Sequence, residues 1–487
     1  MGKITKLDCL KLKTMTDQIS RFRPGLLKFE GELAPVNEVL ALLRAAGGRP
    51  FFMGGCVRDA LLGIGSKDFD IEVFGLSVAQ IQKALSARFE IISVGAAFGV
   101  IKLKDFPVDV SVPRRENRVG AGHRDFEVFV DSTLTPKEAA ERRDFTINAI
   151  GWNDANGELL DFYEGERDLK AGVIRHVSAK FAEDPLRVLR AMQFAARFEF
   201  TVAPETVAIC ATLHPNDLPV ERLYEEWSKL ILKGRKPSLG LKFLRECGWL
   251  QYFPELAAIV DVPQDPVWHP EGCVWTHTLH CMDAFAKKQV GDPREDLVVG
   301  FAVLCHDLGK AVTTVMSEGR WRALGHEEAG VPIAAKFMGR LTREQGLIDE
   351  IVPHVANHDK PSALFRAQSG DNAVRRLALR VGRIDRLLRV DLADRQGRPP
   401  QVVGDTTDHG AWLLAKAQGM NLDKGVPKPI MQGRHLVARG LKPGKDFKRI
   451  LDAAFEAQLE GALADEIAGN AWLDAYLSGP DFTSNNS

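Results

Sequence analysis

The sequence predicts an α+β chain: a mixed sheet with helices in the N-terminal part, then all-helical regions to the C-terminus. Three observations carry this. Short apolar runs with period-two alternation, such as Phe69-Asp-Ile-Glu-Val-Phe74 and Val108-Asp-Val-Ser-Val112, are confined to the stretch between Phe51 and Val177. From Asp184 to about Pro254 the apolar spacing is helical, broken only by loops such as His214-Pro-Asn-Asp217. A second helical stretch, rich in His, follows the Pro-rich linker Val262–Pro270 and runs to about Arg398.

Composition bounds the rest. The 487 residues are 45% hydrophobic and 26% charged, with 43 Gly and 25 Pro, which excludes collagen-like, disordered and disulfide-scaffold classes. At roughly 100–200 residues per domain the length accommodates about three domains. With 64 Lys plus Arg against 65 Asp plus Glu, a uniformly basic coat is excluded, and nucleic acid would have to bind a local basic patch. The 7 Cys include no CxxC pair, which argues against a disulfide framework or a cysteine-built zinc site and for a reducing compartment. The start of the chain lacks a signal-like apolar stretch, and the best apolar run, Val298 to Cys305, is too short to span a bilayer. A soluble cytoplasmic protein without membrane contact is expected, and nothing in the sequence requires a protein partner.

In chain order, residues 1–45 read as an N-terminal extension with a helix from Pro35 to Ala46, and 46–177 as the α/β unit. Residues 178–262 read as a helical body, 263–398 as the His-rich helical domain, and 399–487, after Pro399-Pro400, as a helical tail.

Gly54-Gly55-Cys-Val-Arg58-Asp59 follows a strand and opens a helix. The glycines let backbone N–H groups approach an anion, with Arg58 within reach of a phosphate, although taken alone the segment reads first as a plain tight turn. Asp68-Phe69-Asp70 places two carboxylates on one face of a strand, and Asp109 faces away from the valines of its own strand. Three carboxylates on one sheet repel unless a cation lies between them; Mg²⁺ suits oxygen ligands and nucleotide phosphates, and two such ions can serve an attacking hydroxyl and a leaving pyrophosphate.

Arg142-Arg143-Asp144-Phe-Thr-Ile-Asn148-Ala gathers cationic and hydrogen-bonding groups: Arg143 suits a triphosphate, while Asp144 and Asn148 bond ribose hydroxyls or order the loop. Glu183-Asp184-Pro-Leu-Arg187-Val-Leu-Arg190 starts a helix at Pro185, with Asp184, Arg187 and Arg190 on one face. A carboxylate accepts from an exocyclic amine and a guanidinium donates to an unprotonated ring nitrogen, a pair that cytosine and adenine offer and that uracil and guanine reverse. The alternative for that face is an intrahelical salt bridge.

The segments Gly54–Gly63, Lys67–Asp70, Arg142–Ala149 and Glu183–Arg190, in that order, resemble class II tRNA nucleotidyltransferases, the CCA-adding enzyme family related to bacterial poly(A) polymerases. The resemblance runs from about Phe51 to Pro254 and implies a polymerase-β-like head. It implies Asp68 and Asp70 as catalytic metal ligands with Asp109 as third carboxylate, and Gly54, Gly55 and Arg58 at the triphosphate. Arg143, Asp144 and Asn148 match the ribose and phosphate motif, and Asp184, Arg187 and Arg190 the base-recognition helix. Arg114 to Asp125 corresponds to the family's flexible loop, implicated in switching from C to A addition.

The second helical region carries His277, His306-Asp307, His326, His358 and Asp394. His277, His306, Asp307 and Asp394 can hold one divalent ion, with His326 and His358 adding ligands for a second. The pattern, above all His306-Asp-Leu-Gly-Lys310, is similar to the HD phosphohydrolase superfamily, often a phosphodiesterase or phosphatase. Asp391, one turn before Asp394, competes for the last ligand position, and His354 shares the His358 face as ligand or packed neighbour. Arg375, Arg376, Arg380, Arg383, Arg386 and Arg389 form a basic stripe at helical spacing, read first as a solvated face and second as a contact for tRNA phosphates.

The resemblance implies a template-independent nucleotidyltransferase that adds C, C and A to the tRNA 3′ end from CTP and ATP, releasing pyrophosphate, with a metal-dependent phosphohydrolase alongside. The alternatives are a CC-only or A-only enzyme, or an HD phosphohydrolase whose N-terminal part binds RNA.

Overall fold

The computed structural model describes residues 34–66, 68–92, 99–118, 126–215, 218–398 and 408–479. The chain divides into two compact units, Met1–Tyr252 and Phe253–Ser487.

The first unit contains strands β1 Arg49–Met53, β2 Phe69–Phe74, β3 Ile91–Ile92, β4 Val100–Leu103, β5 Val108–Ser111, β6 Arg114–Arg118, β7 Phe126–Val130, β8 Gly151–Asn153 and β9 Glu158–Leu160. Seven of them form one mixed sheet in the order β3-β4-β5-β2-β1-β8-β9, while β6 and β7 pair with each other. In the large sheet β2 and β5 run parallel and the other neighbours antiparallel. The alternation seen in the sequence is a burial alternation. Val108, Val110 and Val112 are buried, while Asp109 and Ser111 between them are half-exposed. In the parallel register Asp70 lies opposite Asp109.

Helices α1 Ala34–Ala45, α2 Gly55–Leu61, α3 Val78–Leu85, α4 Pro136–Glu141 and α5 Gly165–Ala171 accompany the sheet. α1 was expected in an extension, yet Val36, Val39, Leu40 and Leu43 are buried and the helix packs on α3 and β1, so the packed head begins ahead of residue 46. α4 starts sharply: Pro136 occupies its first turn and Thr135 with Glu138 forms a capping box, which delivers Arg142 and Arg143 at its C-terminal end. The body comprises α6 Leu186–Phe198, α7 Pro204–Ala211, α8 Val220–Lys233 and α9 Pro237–Glu246. α6 follows Pro185 and buries Leu186, Val188, Leu189 and Met192 while packing on α8 and α9. The flexible-loop segment expected from Arg114 to Asp125 begins in β6, and residues 119–125 lie outside the described residues.

The second unit opens with α10 Pro254–Ala257, ahead of the Pro-rich stretch read as the boundary, because Glu255 accepts two bonds from Arg340 Nε and Phe253 packs edge-on against Phe337. Its helices are α11 Val274–Ala286, α12 Pro293–Cys305, α13 Lys310–Thr313, α14 His326–Leu341, α15 Gln345–Val355, α16 Lys360–Arg366, α17 Asp371–Val381 and α18 Ile384–Gln396. The apolar run Val298–Cys305 is the wholly buried half of α12, started by Asp292 as N-cap and Pro293. No helix among the described residues is long and apolar enough to cross a membrane. Beyond it come α19 His409–Gly419, α20 Gly433–Val437, α21 Lys445–Leu459 and α22 Glu466–Leu477. α19 was expected in a separate tail, but Leu413 and Ala417 complete a core with Val374, Leu377, Ile384 and Leu387. The rest of the tail has its own small core around Met431, Leu436, Ile450 and Leu473.

The arginine stripe is not one helix. Gly382, at φ 70, ends α17, and α18 starts anew at Ile384. Nor are four of its six cations free. Arg383 and Arg386 both bond Glu295, Arg386 and Arg389 reach Glu350 and Asp296 respectively, and Arg376 pairs with Glu456 and Glu460.

Candidate active site and metal centre

In the first unit the site forms where β1 ends and β2 and β5 begin, beside the turn into α2. Asp68 immediately precedes β2, Asp70 is its second residue, and both are exposed. Asp109 is bonded across the strand pair by Lys102 Nζ at 3.1 Å. Desolvation in the crowded strand end, with the charges of Asp109, Asp68 and Glu72 added, raises the Asp70 carboxyl above its ordinary range against the pull of Arg143. The three carboxylates share this strand end, but their oxygens are not gathered to the spacing of one ion's ligands.

Glu72, overlooked in the sequence, continues the same alternation into the interior. It is 1% exposed and within 3.6 Å of Arg142 Nη2 and 3.4 Å of Arg143 Nη2. Arg143 thereby lies over the Gly54 turn; Gly54 has φ 72, and a Cβ there would meet Arg143 Nη1 at 2.7 Å. Only glycine suits both demands. Arg58, expected to point at a phosphate, is instead 4% exposed beneath the turn. It bonds Asp59 and Asn148 and lies over the rings of Phe194 and Phe198. Its partner Asn148 donates to Asp144 Oδ1 at 2.9 Å, and Asp144 Oδ2 accepts from Arg190 Nε at 2.7 Å. Burial would raise the Asp144 carboxyl, but Arg190 and the Asn148 bond outweigh it and hold it low. Asp144 and Asn148 therefore order the loop, and with Arg58 they form a buried polar chain from the Gly-Gly turn to α6.

On α6 the intrahelical salt bridge is absent. Asp184 caps Leu186 N at 3.1 Å and pairs with Arg222 of α8 at 2.8 Å. Arg187 donates to the Lys180 and Arg142 carbonyls, both at 2.8 Å. Arg222 was invisible to local reading, being 38 residues from its partner.

In the second unit the expected ligands converge, on α11 and α18 and on the segments leading into α13, α14 and α16. His277 Nε2 lies 2.9 Å from Asp394 Oδ1 and 3.4 Å from His306 Nε2. Asp307 carries Oδ2 at 3.3 Å from His306 Nε2 and Oδ1 at 3.3 Å from His326 Nε2, while His326 and His358 face each other Nε2 to Nε2 at 3.2 Å. His306, His326 and His358 each donate Nδ1–H to a main-chain carbonyl three residues back, at 2.7–2.8 Å, and His277 Nδ1 faces Glu271 Oε1 at 2.9 Å. The Nε2 lone pairs are thus turned inward, and two facing pairs with a carboxylate between them are what two cations would hold together. The ligand atoms of Asp307, His326 and His358 lie within 4.8 Å of one another, as do those of His277, Cys281, His306 and Asp394. Among the described residues, groups of metal spacing occur only in this unit.

Burial would raise the carboxyls of Asp307 and Asp394, yet His306 and Lys310 at the first, and Arg398 and His277 at the second, hold both well below the ordinary range. Asp394 is the carboxylate in the cluster, since Asp391 is taken by His409 and Arg395. His354 is outside it, its Nδ1 2.8 Å from the Glu350 carbonyl and its Nε2 3.3 Å from that of Arg383. Gly309 of the His-Asp-Leu-Gly-Lys segment permits the convergence: a Cβ there would sit 1.9 Å from the His326 carbonyl oxygen. Glu271, Cys281 and Arg398 were missed. Of these only Cys281, four residues after His277 on one helix, left a sequence signal.

Residues 50–175 match the poly A polymerase head domain, 199–260 the model described as "Probable RNA and SrmB- binding site of polymerase A", and 274–395 the HD domain. The multifunctional CCA protein of Chromobacterium violaceum is 37% identical over 361 residues, 72% of this chain and 84% of that protein. The multifunctional CCA protein of Neisseria meningitidis serogroup A is 33% identical over 404 residues, 80% and 93% of the two. The crystal structure of the Bacillus stearothermophilus CCA-adding enzyme in complex with CTP superposes with TM-score 0.63 at 22% identity, covering 93% of this chain and 99% of that one. The Thermotoga maritima CCA-adding enzyme complexed with tRNA gives 0.56 at 19%, covering 95% and 98%. At these identities the solved structures establish a shared fold.

Proposed function

Since this chain belongs to the multifunctional CCA protein family, we propose that it is a template-independent nucleotidyltransferase adding C, C and A to the 3′ end of tRNA from CTP and ATP with release of pyrophosphate. The observation that supports this most is the β2–β5 register, which seats Asp70 beside Asp109 with Asp68 two residues away and Arg143 across the turn. In this reading Asp68 and Asp70 hold Mg²⁺, which when bound supplies charge neutralisation at the triphosphate and the attacking oxygen. Asp109 accepts the proton of the tRNA 3′-hydroxyl, and Lys102 positions Asp109 until substrate arrives. Arg143, held from behind by Glu72, binds the triphosphate, while Gly54 and Gly55 keep the turn open beneath it. Asp184 accepts from the exocyclic amine of cytosine or adenine and Arg187 donates to the ring nitrogen; the Arg58–Asn148–Asp144–Arg190 chain ties this helix to the turn. Residues 46–177 with α1 serve as the head, 178–252 as the body, 253–398 with α19 as the HD domain and the remainder to 487 as the tail.

The second unit is assigned metal-dependent phosphohydrolase or phosphodiesterase activity. His277, His306, Asp307 and Asp394 would hold one divalent ion, and His326 and His358 would add ligands for a second. Lys310 and Arg398, which pair with Asp307 and Asp394, balance the carboxylates and can donate to a phosphate. A tRNA substrate and buried free thiols support a cytoplasmic location.

Purified protein incubated with tRNA lacking its 3′ end and with CTP, ATP or both, followed by sequencing of the products, tests this reading. CCA ends are expected with both nucleotides, and none with Asp70→Ala. Products stopping at CC, or ends extended by A alone, assign a partial enzyme; no extension by the parent protein overturns the proposal.

A further inference from the structure

We propose that Cys281 is a further direct ligand of the ion assigned to His277, His306, Asp307 and Asp394, and that its sulfur makes this a site for a thiophilic divalent ion of the zinc, cobalt or nickel kind in place of Mg²⁺. The inference rests on the metal reading of the HD cluster and adds a ligand that the His/Asp pattern does not contain.

Cys281 follows His277 by one turn of α11, so the two side chains share a face. Its Sγ lies 3.3 Å from His277 Nε2, the nitrogen that also meets Asp394 and His306. The sulfur is also 3.8 Å from His277 Nδ1, beside the ring, and the ligand atoms of His277, Cys281, His306 and Asp394 all lie within 4.8 Å of one another, so a small shift of the sulfur toward the Nε2 side lets one ion gather them.

Buried thiols usually serve as small apolar fillers that rest on a carbonyl of their own helix turn. Cys247 does this, its Sγ on the Leu244 carbonyl, and Cys56 does the same on Met53. Cys281 departs from that habit by turning to an imidazole. Space for the sulfur is provided from α18: Gly397, one residue past that helix, would place a Cβ 2.4 Å from Cys281 Sγ. A glycine three residues after Asp394 therefore lets the sulfur and the carboxylate approach one point. Sulfur alongside imidazole selects softer ions, whereas Mg²⁺ keeps to oxygen. On binding, the thiol proton leaves to solvent and the sulfur–metal bond replaces the S–H bond.

The test is Co²⁺ titration of the metal-stripped full-length protein under anaerobic conditions, followed by absorption. The parent should show visible cobalt bands together with a near-ultraviolet thiolate-to-cobalt charge-transfer band. Cys281→Ser should keep the visible bands, lose the near-ultraviolet band and bind Zn²⁺ at least tenfold more weakly; His306→Ala should lose both. Visible bands without the charge-transfer band in the parent, or a charge-transfer band that persists in Cys281→Ser, overturn the thiolate ligand and leave the metal site standing. No cobalt bands at all overturn the metal reading with it, while CCA addition in the first unit is read separately. Should the serine variant fail to fold, X-ray absorption of the zinc-loaded parent decides the matter: a sulfur at about 2.3 Å is expected, and a shell of nitrogen and oxygen alone refutes the inference.

Discussion

Replacing Asp144 by asparagine should loosen the link between the nucleotide turn and α6 without changing the shape of either. The amide oxygen of the new side chain would still accept the Phe145 N–H, as the Asp144 carboxylate does at 2.8 Å. What is lost is the negative charge facing Arg190, whose Nε and Nη2 lie 2.7 and 2.6 Å from Oδ2. Breaking one partner of a buried ion pair costs about 3–5 kcal/mol. Because the Arg190 side chain is 33% exposed, water recovers part of that, and about 2–3 kcal/mol remains. Hydrogen exchange of the Leu186–Phe198 amides localises the loss, and a double-mutant cycle with Arg190→Gln should give a coupling of about 1.5–2 kcal/mol. A variant within about 0.5 kcal/mol of the parent, or strict additivity in the cycle, would refute the ion-pair reasoning. The pH dependence has a definite sign. The folded Asp144 carboxyl is held below its ordinary value of 3.8, so its contribution is full above that pH and is lost as acid protonates the folded group. Exchange in α6 should therefore accelerate below about pH 4 in the parent and less so in the variant.

Three further substitutions separate the roles of neighbouring residues. Gly309→Ala forces a methyl against the His326 carbonyl and should cost the second unit about 3 kcal/mol in urea unfolding, together with a loss of metal binding; a parent-like curve would contradict the close approach. Arg222→Gln frees the Asp184 carboxylate and should reduce discrimination of CTP over UTP by about fivefold, equivalent to about 1 kcal/mol, and an unchanged ratio would deny Arg222 any positioning role. His354, whose imidazole burial pushes down to about 4, is neutral at physiological pH, and His354→Ala should lower stability yet bind as many metal equivalents as the parent. Loss of an equivalent would return His354 to the ligand set.

What the sequence made legible was periodic. Alternation in Phe69–Phe74 and Val108–Val112 announced both strands and the face that carries the acids, because one buried side sets the phase of a strand. His306-Asp307 and the spacing of the histidines likewise announced the His/Asp cluster of the second unit. Groups that act through distant partners stayed hidden. Arg383 and Arg386 read as an exposed stripe because Glu295, 88 and 91 residues earlier, could not be paired with them by local pattern. Arg58 read as a phosphate ligand because its place in the motif is close to the turn, whereas the ring faces that bury it come from Phe194 and Phe198 on a later helix. Glu72 was within reach of the alternation rule, but its apolar neighbours Ile71 and Val73 made the strand look like plain core.

The pairing of β2 with β5 has a consequence for how this chain can change over time. Asp109 and the valines that flank it are read in one frame: the backbone phase that sends the carboxylate toward the chemistry also sends Val108 and Val110 into the interior. Exchanging a side chain alters one of these at a time. Adding or removing a single residue within Val108–Ser111 would invert the whole strand, turning an acid inward and a valine outward in the same step. Length variation is therefore confined to connections that can absorb it, such as the turn at Asp105, where the backbone already adopts φ 63. The acids proposed for catalysis are in this sense protected by the hydrophobic core: drift that would misplace them also undoes the fold.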